Sequence, residues 1–144
     1  MSFDFRIVDR DIVIGDDGDL QQVENTEKLI QDILKIAITP LGSNQFYPWY
    51  GSPISKSMIG QILDMEFISS VASAQLQNSL EILQKLQQEQ AKQQRVTPFE
   101  QLAAVKQVRI QRNIVDPRYF LVIIDALTRA LTEAPVAFEI KPTL

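Results

Sequence analysis

The chain has 144 residues, of which 45% are hydrophobic and 22% charged, and so has the size and make-up of one ordinary globular domain. It contains no Cys and no His, which excludes disulfides, thiol nucleophiles and thiolate metal sites and removes the commonest general base. The net charge of −4 argues against nucleic acid or an anionic membrane as partner, and no apolar run approaches the ~20 residues that span a bilayer.

Residues 3–14 alternate Phe3, Phe5 and Ile7 with Asp4 and Arg6, then continue through a charged turn to Ile12-Val13-Ile14. This predicts a hairpin or two short strands. The start of the chain has neither the basic opening nor the apolar stretch of a signal peptide, so folding in a cytoplasm is the expectation. Gly15-Asp16-Asp17-Gly18-Asp19 reads as a solvated turn. Its three Asp do not have the spacing of a calcium-binding EF-hand loop, and no Glu closes it. The five Gly make no phosphate-cradling loop. No cofactor and no metal are expected.

A helix is predicted from Asn25 or Thr26, both good N-caps, with Glu27 in its first turn. Leu29, Ile30, Ile33, Leu34, Ala37 and Ile38 give it one apolar stripe, and Pro40 ends it. The segment 39–53 then carries three Pro, two Gly and the rings of Phe46, Tyr47, Trp49 and Tyr50. A loop so rich in aromatics is expected to pack down, because exposing four rings is costly. Ser55–Leu63 reads as a short helix, and Asp64 can cap a longer one striped by Phe67, Val71, Ala74, Leu76, Leu80, Leu83 and Leu86. That helix runs out in a Gln-rich stretch, 84–94, read as a solvated end with no sustained heptad.

Thr97-Pro98-Phe99-Glu100 predicts a short helix with a capping box. Val108, Ile110, Arg112 and Ile114 then alternate with Gln107, Arg109, Gln111 and Asn113, which predicts a half-buried strand. Asp116-Pro117-Arg118 turns the chain into 119–124, which is apolar on both faces, and 136–140 alternates again. The expectation is a single α+β domain with two or three helices packed on a small, mainly antiparallel sheet. Its parts would be an N-terminal hairpin arm (1–20), a helical part (21–104) and C-terminal strands (105–144). Strands apolar on both faces have both faces covered, so the N-terminal hairpin or another chain is expected over the side the helices leave. Free sheet edges are templates for strand addition.

Thr39, Gly42, Ser43, Phe46, Pro48, Tyr50 and Gly51, in the run Thr39–Gly51, carry a resemblance. An amphipathic helix ends in Thr, a Gly-Ser turn follows, and a Phe, a Pro and an aromatic-Gly pair lead to the next helix. This resembles the signature of the baseplate wedge and sheath-initiator family of contractile phage tails, which includes a type VI secretion baseplate subunit. The likeness covers roughly residues 20–130 by its periodic segments, and a weaker one takes in the N-terminal hairpin, Phe3–Leu20. The family's acidic-Pro-Arg motif is not clearly kept. Val96–Glu100 retains only the Pro, and Asp116-Pro117-Arg118 spells the motif between two strands.

The resemblance implies a structural subunit of the virion tail baseplate, assembled in the host cytoplasm and present in six copies. Its partners would be the tail sheath protein, other baseplate wedge proteins, and tail tube or hub proteins. It would link wedge proteins to the first sheath ring and template sheath assembly by strand pairing. The partner interface expected on this reading comprises Phe46, Trp49, Tyr50, Gln107, Arg109 and Gln111; no catalytic residue is assigned. An alternative is a type VI secretion-like subunit. Members of the family have also been labelled lysozyme-like, and a glycoside hydrolase would need two carboxylates at a set separation. Asp64, Glu66, Asp125 and Glu139 lie among apolar residues, but their spacing defines no pair. A stand-alone adaptor binding a peptide or helix is the third reading.

Overall fold

The computed structural model describes residues 3–8, 11–54, 65–116 and 119–140. In chain order these form β1 (Asp4–Phe5), β2 (Ile7–Val8), β3 (Asp11–Ile12), β4 (Gln22–Val23), α1 (Asn25–Ile38) and α2 (Met65–Gln93). A 3-10 turn (Pro98–Glu100) then leads to β5 (Leu102–Arg112), β6 (Phe120–Thr128) and β7 (Glu133–Ile140). The last three strands make an antiparallel meander in the order β5-β6-β7. Helix α2 packs on β5, α1 packs on β7, and the two helices touch each other on the same face of the sheet. The fold is α+β, with the N-terminal hairpin elements the sequence predicts.

The core follows from the alternation along β6. Phe120, Val122, Ile124, Ala126 and Thr128 are buried, while the residues between them are half-buried. Ile124 sits opposite Val108 and Val136, and Val122 opposite Ile110 and Phe138. Above them the helices and the chain between them bring Leu29, Ile33, Ile36, Ile54, Leu76 and Leu80, all within 1% of full burial. Each such aliphatic side chain contributes about 1.5–3 kcal/mol when withdrawn from water. The strands are longer than the sequence suggests: β6 reaches Thr128, and β7 begins at Glu133 and includes Pro135.

Several local expectations are corrected. Helix α1 has Glu24 at its N-cap and no side-chain capping bond; Asn25 lies at φ +54, a left-handed conformation that Asn tolerates. Thr97 does not close a capping box either, because its hydroxyl donates to Asn25 Oδ1 at 2.8 Å. On α1, Ile36 is buried, whereas Ile38, read as part of the apolar stripe, is 45% exposed. The end of α1 is as expected, with Thr39 held extended before Pro40.

The Gln-rich end of α2 is not simply solvated. Gln87 donates from Nε2 to the Glu100 carbonyl and accepts at Oε1 from the Leu102 N–H. Gln84 donates to the carbonyls of Leu102 and Ala103. These two amides satisfy the backbone groups that would otherwise be stranded at the start of β5. Beyond them the helix is largely exposed. The short helix over Ser55–Leu63, the cap at Asp64, and Pro117-Arg118 lie outside the described residues.

At the N-terminus two two-stranded pieces and an isolated bridge meet. β1 pairs with β4, β2 with β3, and Ile14 with Leu20. Three backbone bonds close a ring between them: Arg6 N–H to Gln21 O (2.8 Å), Gln21 N–H to Val13 O (2.9 Å), and Val13 N–H to Arg6 O (3.1 Å). The hairpin, one of the two alternatives expected over the far face of the sheet, instead bonds to α1 through Arg6 to Glu27, the Ile7 N–H to Gln31 and Lys35 to Asp4.

Candidate interaction surfaces

The loop from Thr39 to Ser52 is built as a clamped base with an open tip. Ser52 N–H donates to Thr39 O at 2.8 Å, Leu41 N–H to Ser52 O at 3.3 Å, and the Ser79 hydroxyl to Gly51 O at 2.9 Å. Gly51 is required there: its φ is +118, and a Cβ would stand 2.5 Å from the Thr39 carbonyl oxygen. At the tip, Asn44 Oδ1 accepts from the N–H groups of Phe46 and Tyr47. Tyr47, Trp49 and Tyr50 form an edge-to-face series with ring centroids 5.6 and 6.5 Å apart. The expectation that this loop packs down is wrong for most of it. Phe46 is 85%, Tyr47 54% and Trp49 44% exposed; Tyr50 alone of the four packs against the core. A rigid loop that exposes rings loses little entropy on binding a partner.

Gln107, Arg109 and Gln111 are exposed on the face of the sheet away from the helices. Leu121, Ile123 and Leu127 run half-buried between the charged side chains of the outer strands. Arg109 lies 3.7 Å from Asp125, Lys106 donates to Glu133 at 3.2 Å, and Asn113 to Glu139 at 3.0 Å. An open depression of about 550 Å³ lies between Lys106, Gln107, Asp125, Glu133 and Pro135. The six residues expected at partner interfaces fall on two surfaces, the aromatic loop on the helical side and the polar trio on the far side of the sheet. The loop's Tyr47, and the pair Ile114 and Val115 at the β5–β6 turn (99% and 92% exposed), were missed. An apolar pair beside an Asp-Pro turn was the available signal for the latter.

The two sheet edges differ. Asn113 N–H donates to Tyr119 O, and Thr128 N–H to Thr132 O. Alternating from these bonds through the register, Val108, Ile110 and Arg112 turn their backbone groups away from β6 on the β5 edge. On the β7 edge Glu133, Pro135, Ala137 and Glu139 do so. Pro135 has no N–H to offer, so β7 is blunted while the 107–112 stretch of β5 is open.

Helix α1 carries a charged seam on its other side. Lys28 and Asp32 pair at 2.8 Å and are both largely buried. Burial pushes the Asp32 carboxyl above the usual carboxylate range against the opposing pull of Lys28 and Lys35. Asp4 pairs with Lys35. Burial alone would raise the Asp4 carboxyl, but Lys35, the Phe5 N–H and Gln31 together hold it below its ordinary value. The Tyr50 hydroxyl is raised by burial and then by the negative charges of Asp32 and Asp4. Among the described residues no group of three or more acidic side chains is placed to hold a metal ion, and no helix is long and apolar enough to cross a membrane.

Of the four carboxylates weighed for hydrolysis, the two whose side chains are described, Asp125 and Glu139, do not form a pair. Asp64 and the side chain of Glu66 lie outside the described residues. Asp125 faces Pro135 across the sheet and Glu139 faces Leu121, four residues further along, or roughly 13 Å. A glycosidase pair stands about 5–9.5 Å apart.

No protein-family model matches the chain, and no curated protein matches it either. Among solved structures, the fold is similar to a protein of Geobacter sulfurreducens described as a "putative tail lysozyme". The TM-score is 0.61 and the identity 12%, over 82% of this chain and 91% of that one. At that identity the likeness is one of fold.

Proposed function

We propose that the chain is a non-enzymatic structural subunit of a contractile phage tail baseplate, binding wedge proteins and the first ring of sheath. The observation that carries this reading is the loop Thr39–Gly51. The segment that resembles the wedge family is clamped at its base while it exposes Phe46, Tyr47 and Trp49. Aromatic side chains held rigid on a surface are the usual anchors of protein interfaces. The fold likeness to a protein named for a tail supports the same reading. Strand pairing with sheath would use the β5 edge, since Pro135 blunts the other. A groove of about 250 Å³ lies between α2 (Gln77, Leu80, Glu81 and Gln84) and the start of β5 (Leu102, Ala103, Ala104 and Val105), just before the open 107–112 stretch, and would seat side chains of an added strand that extends past it.

The test is tagged full-length chain expressed with the tail genes of a producing cell, with purified sheath protein used afterwards for binding. Wild type should recover wedge and sheath proteins and seed sheath polymerisation. Phe46→Ala should lose the wedge proteins and keep sheath, while Arg112→Pro, which removes an outward N–H, should lose sheath where Arg112→Ala does not. A monomer that binds no tail component defeats the proposal. The other protein's name raises a rival hydrolase reading; release of reducing sugar from peptidoglycan by the pure chain, abolished by Asp125→Asn or Glu139→Gln, would establish it instead.

A further inference from the structure

Two properties separate the N-terminal arm from the rest of the molecule. The first is charge. Between Phe3 and Val23 the sequence has six carboxylates and two guanidinium groups, a balance of −4, which is the whole formal charge of the chain. The remainder has twelve acidic and twelve basic residues and is neutral. Arg6 is already engaged by Glu27 at 2.8 Å and Asp4 by Lys35, so the excess lies on Asp11 and on the turn carrying Asp16, Asp17 and Asp19, all exposed.

The second is apolar exposure. Phe5, Ile7, Val8, Ile12, Ile14 and Leu20 are between 39% and 66% exposed, and among the arm's described residues Val23 alone is fully buried. Polar contacts fasten the arm to α1, with Gln31 donating to Phe5 O at 2.7 Å and accepting from the Ile7 N–H at 2.9 Å.

From these observations we infer that the arm docks on a different protein whose surface offers an apolar groove bordered by Lys and Arg. The exposed aliphatic and aromatic side chains supply the area that is buried, and the acidic turn supplies orientation and encounter rate. Charge selects this occupant. A second copy would set one acidic arm against another or against a neutral surface, and an anionic lipid surface would repel it. The inference does not depend on which assembly the chain serves.

A photo-crosslinking phenylalanine analogue placed at Ile14 of the full chain in producing cells tests it, with the same analogue at Gln107 as the reference position. Ile14 should crosslink to a peptide of another protein in which Lys or Arg flanks apolar residues, and Gln107 should not reach that peptide. With that protein purified, binding should weaken at least about tenfold between about 0.05 and about 0.5 M salt. The triple variant Asp16→Asn, Asp17→Asn, Asp19→Asn should lose a similar factor at low salt. Asn keeps the acceptor that Asp17 offers the Asp19 N–H, so the turn is retained. Crosslinks to a second copy, to lipid or to a peptide without basic residues overturn the inference. So do the absence of any crosslink and undiminished binding by the triple variant.

Discussion

Two β regions flank α1, and they are held by opposite means. On one side the C-terminal meander packs on the helix, chiefly through β7, and shares with it one buried apolar cluster that includes Leu29, Ile33, Ile36, Val122, Ile124 and Val136. On the other side the N-terminal arm meets it through Glu27, Gln31 and Lys35, residues four apart that form one seam. The meander has strands of eight to eleven residues and buries one face of apolar side chains fully, leaving Leu121, Ile123 and Leu127 half-buried on the other; the arm has ladders of two residues and leaves most of its apolar side chains outside. A β element anchored by polar groups is free to present its hydrophobic residues to something else. One anchored by hydrophobic residues has none to spare on that face.

The largest effect should come from the apolar side. Ile124→Asp puts a carboxylate at a site with no exposure and should cost more than about 4 kcal/mol, most of a typical folding margin. Urea denaturation monitored on the single Trp would show this as loss of the cooperative transition, and a soluble, cooperatively folding variant would mean that the sheet is not the core.

Next comes the buried ion pair beside that seam, Lys28 with Asp32. Lys28→Ala leaves Asp32 in a poorly solvated site and should cost about 3 kcal/mol, while Lys28→Met combined with Asp32→Leu should return to within about 1 kcal/mol of wild type. Equal destabilisation by the single and double variants would show that this site depends on charge rather than on fit.

A smaller effect, with a definite pH signature, belongs to Asp4. Its carboxyl titrates lower in the fold than in the unfolded chain, so its contribution is present above the ordinary carboxylate value, about pH 4, and is lost as pH falls through the folded value. Asp32 behaves oppositely: its raised carboxyl favours the fold most below the ordinary value, and that contribution is lost as pH rises through the folded one. Asp4→Asn should weaken protection of the arm amides by about 0.5 kcal/mol at neutral pH, discounted because the pair is one-third exposed, and should flatten their acid dependence. Hydrogen exchange of the Ile7 amide reads both. Unchanged exchange at pH 7 would mean that Gln31 and the Arg6–Glu27 pair fasten the arm without Asp4.

How much of this was legible in the sequence varied with the length of the periodic pattern. The strand at 107–112, the two-faced apolar strand at 120–124 and the stop at Thr39-Pro40 depend on neighbours in the chain and were readable, but Ile114, read as the end of the first alternation, lies past β5 and is 99% exposed. Capping was not: Asn25 and Thr97 have the right chemistry for caps, but they bond to each other across 72 residues. Gln84 and Gln87 looked like solvent-facing residues because nothing local says that an unfinished strand start lies beside them. The aromatic loop was misjudged for a similar reason. The cost of exposing rings is real, yet the backbone clamp at Gly51 and Ser52 fixes the loop without needing those rings buried. The residues of the expected interface were all placed at the surface or its margin, but which of them share a face depends on the helices covering one side of the sheet.

The smallest effects test the comparison most sharply. Arg109→Gln on the outer sheet face and Ile14→Ser on the arm should each change global stability by no more than about 0.5 kcal/mol, because the Arg109–Asp125 pair is half-exposed and Ile14 is 66% exposed. They should differ locally from what hydrophobicity alone suggests. If the arm were held by its own apolar cluster, Ile14→Ser would speed exchange of the Arg6, Val13 and Gln21 amides well before the global transition; if the α1 seam holds it, those amides should keep their protection. Loss of protection by about tenfold or more would give the arm a small core of its own and make its exposed side chains structural, which would remove the contrast with the meander and, with it, the reason to expect a partner there.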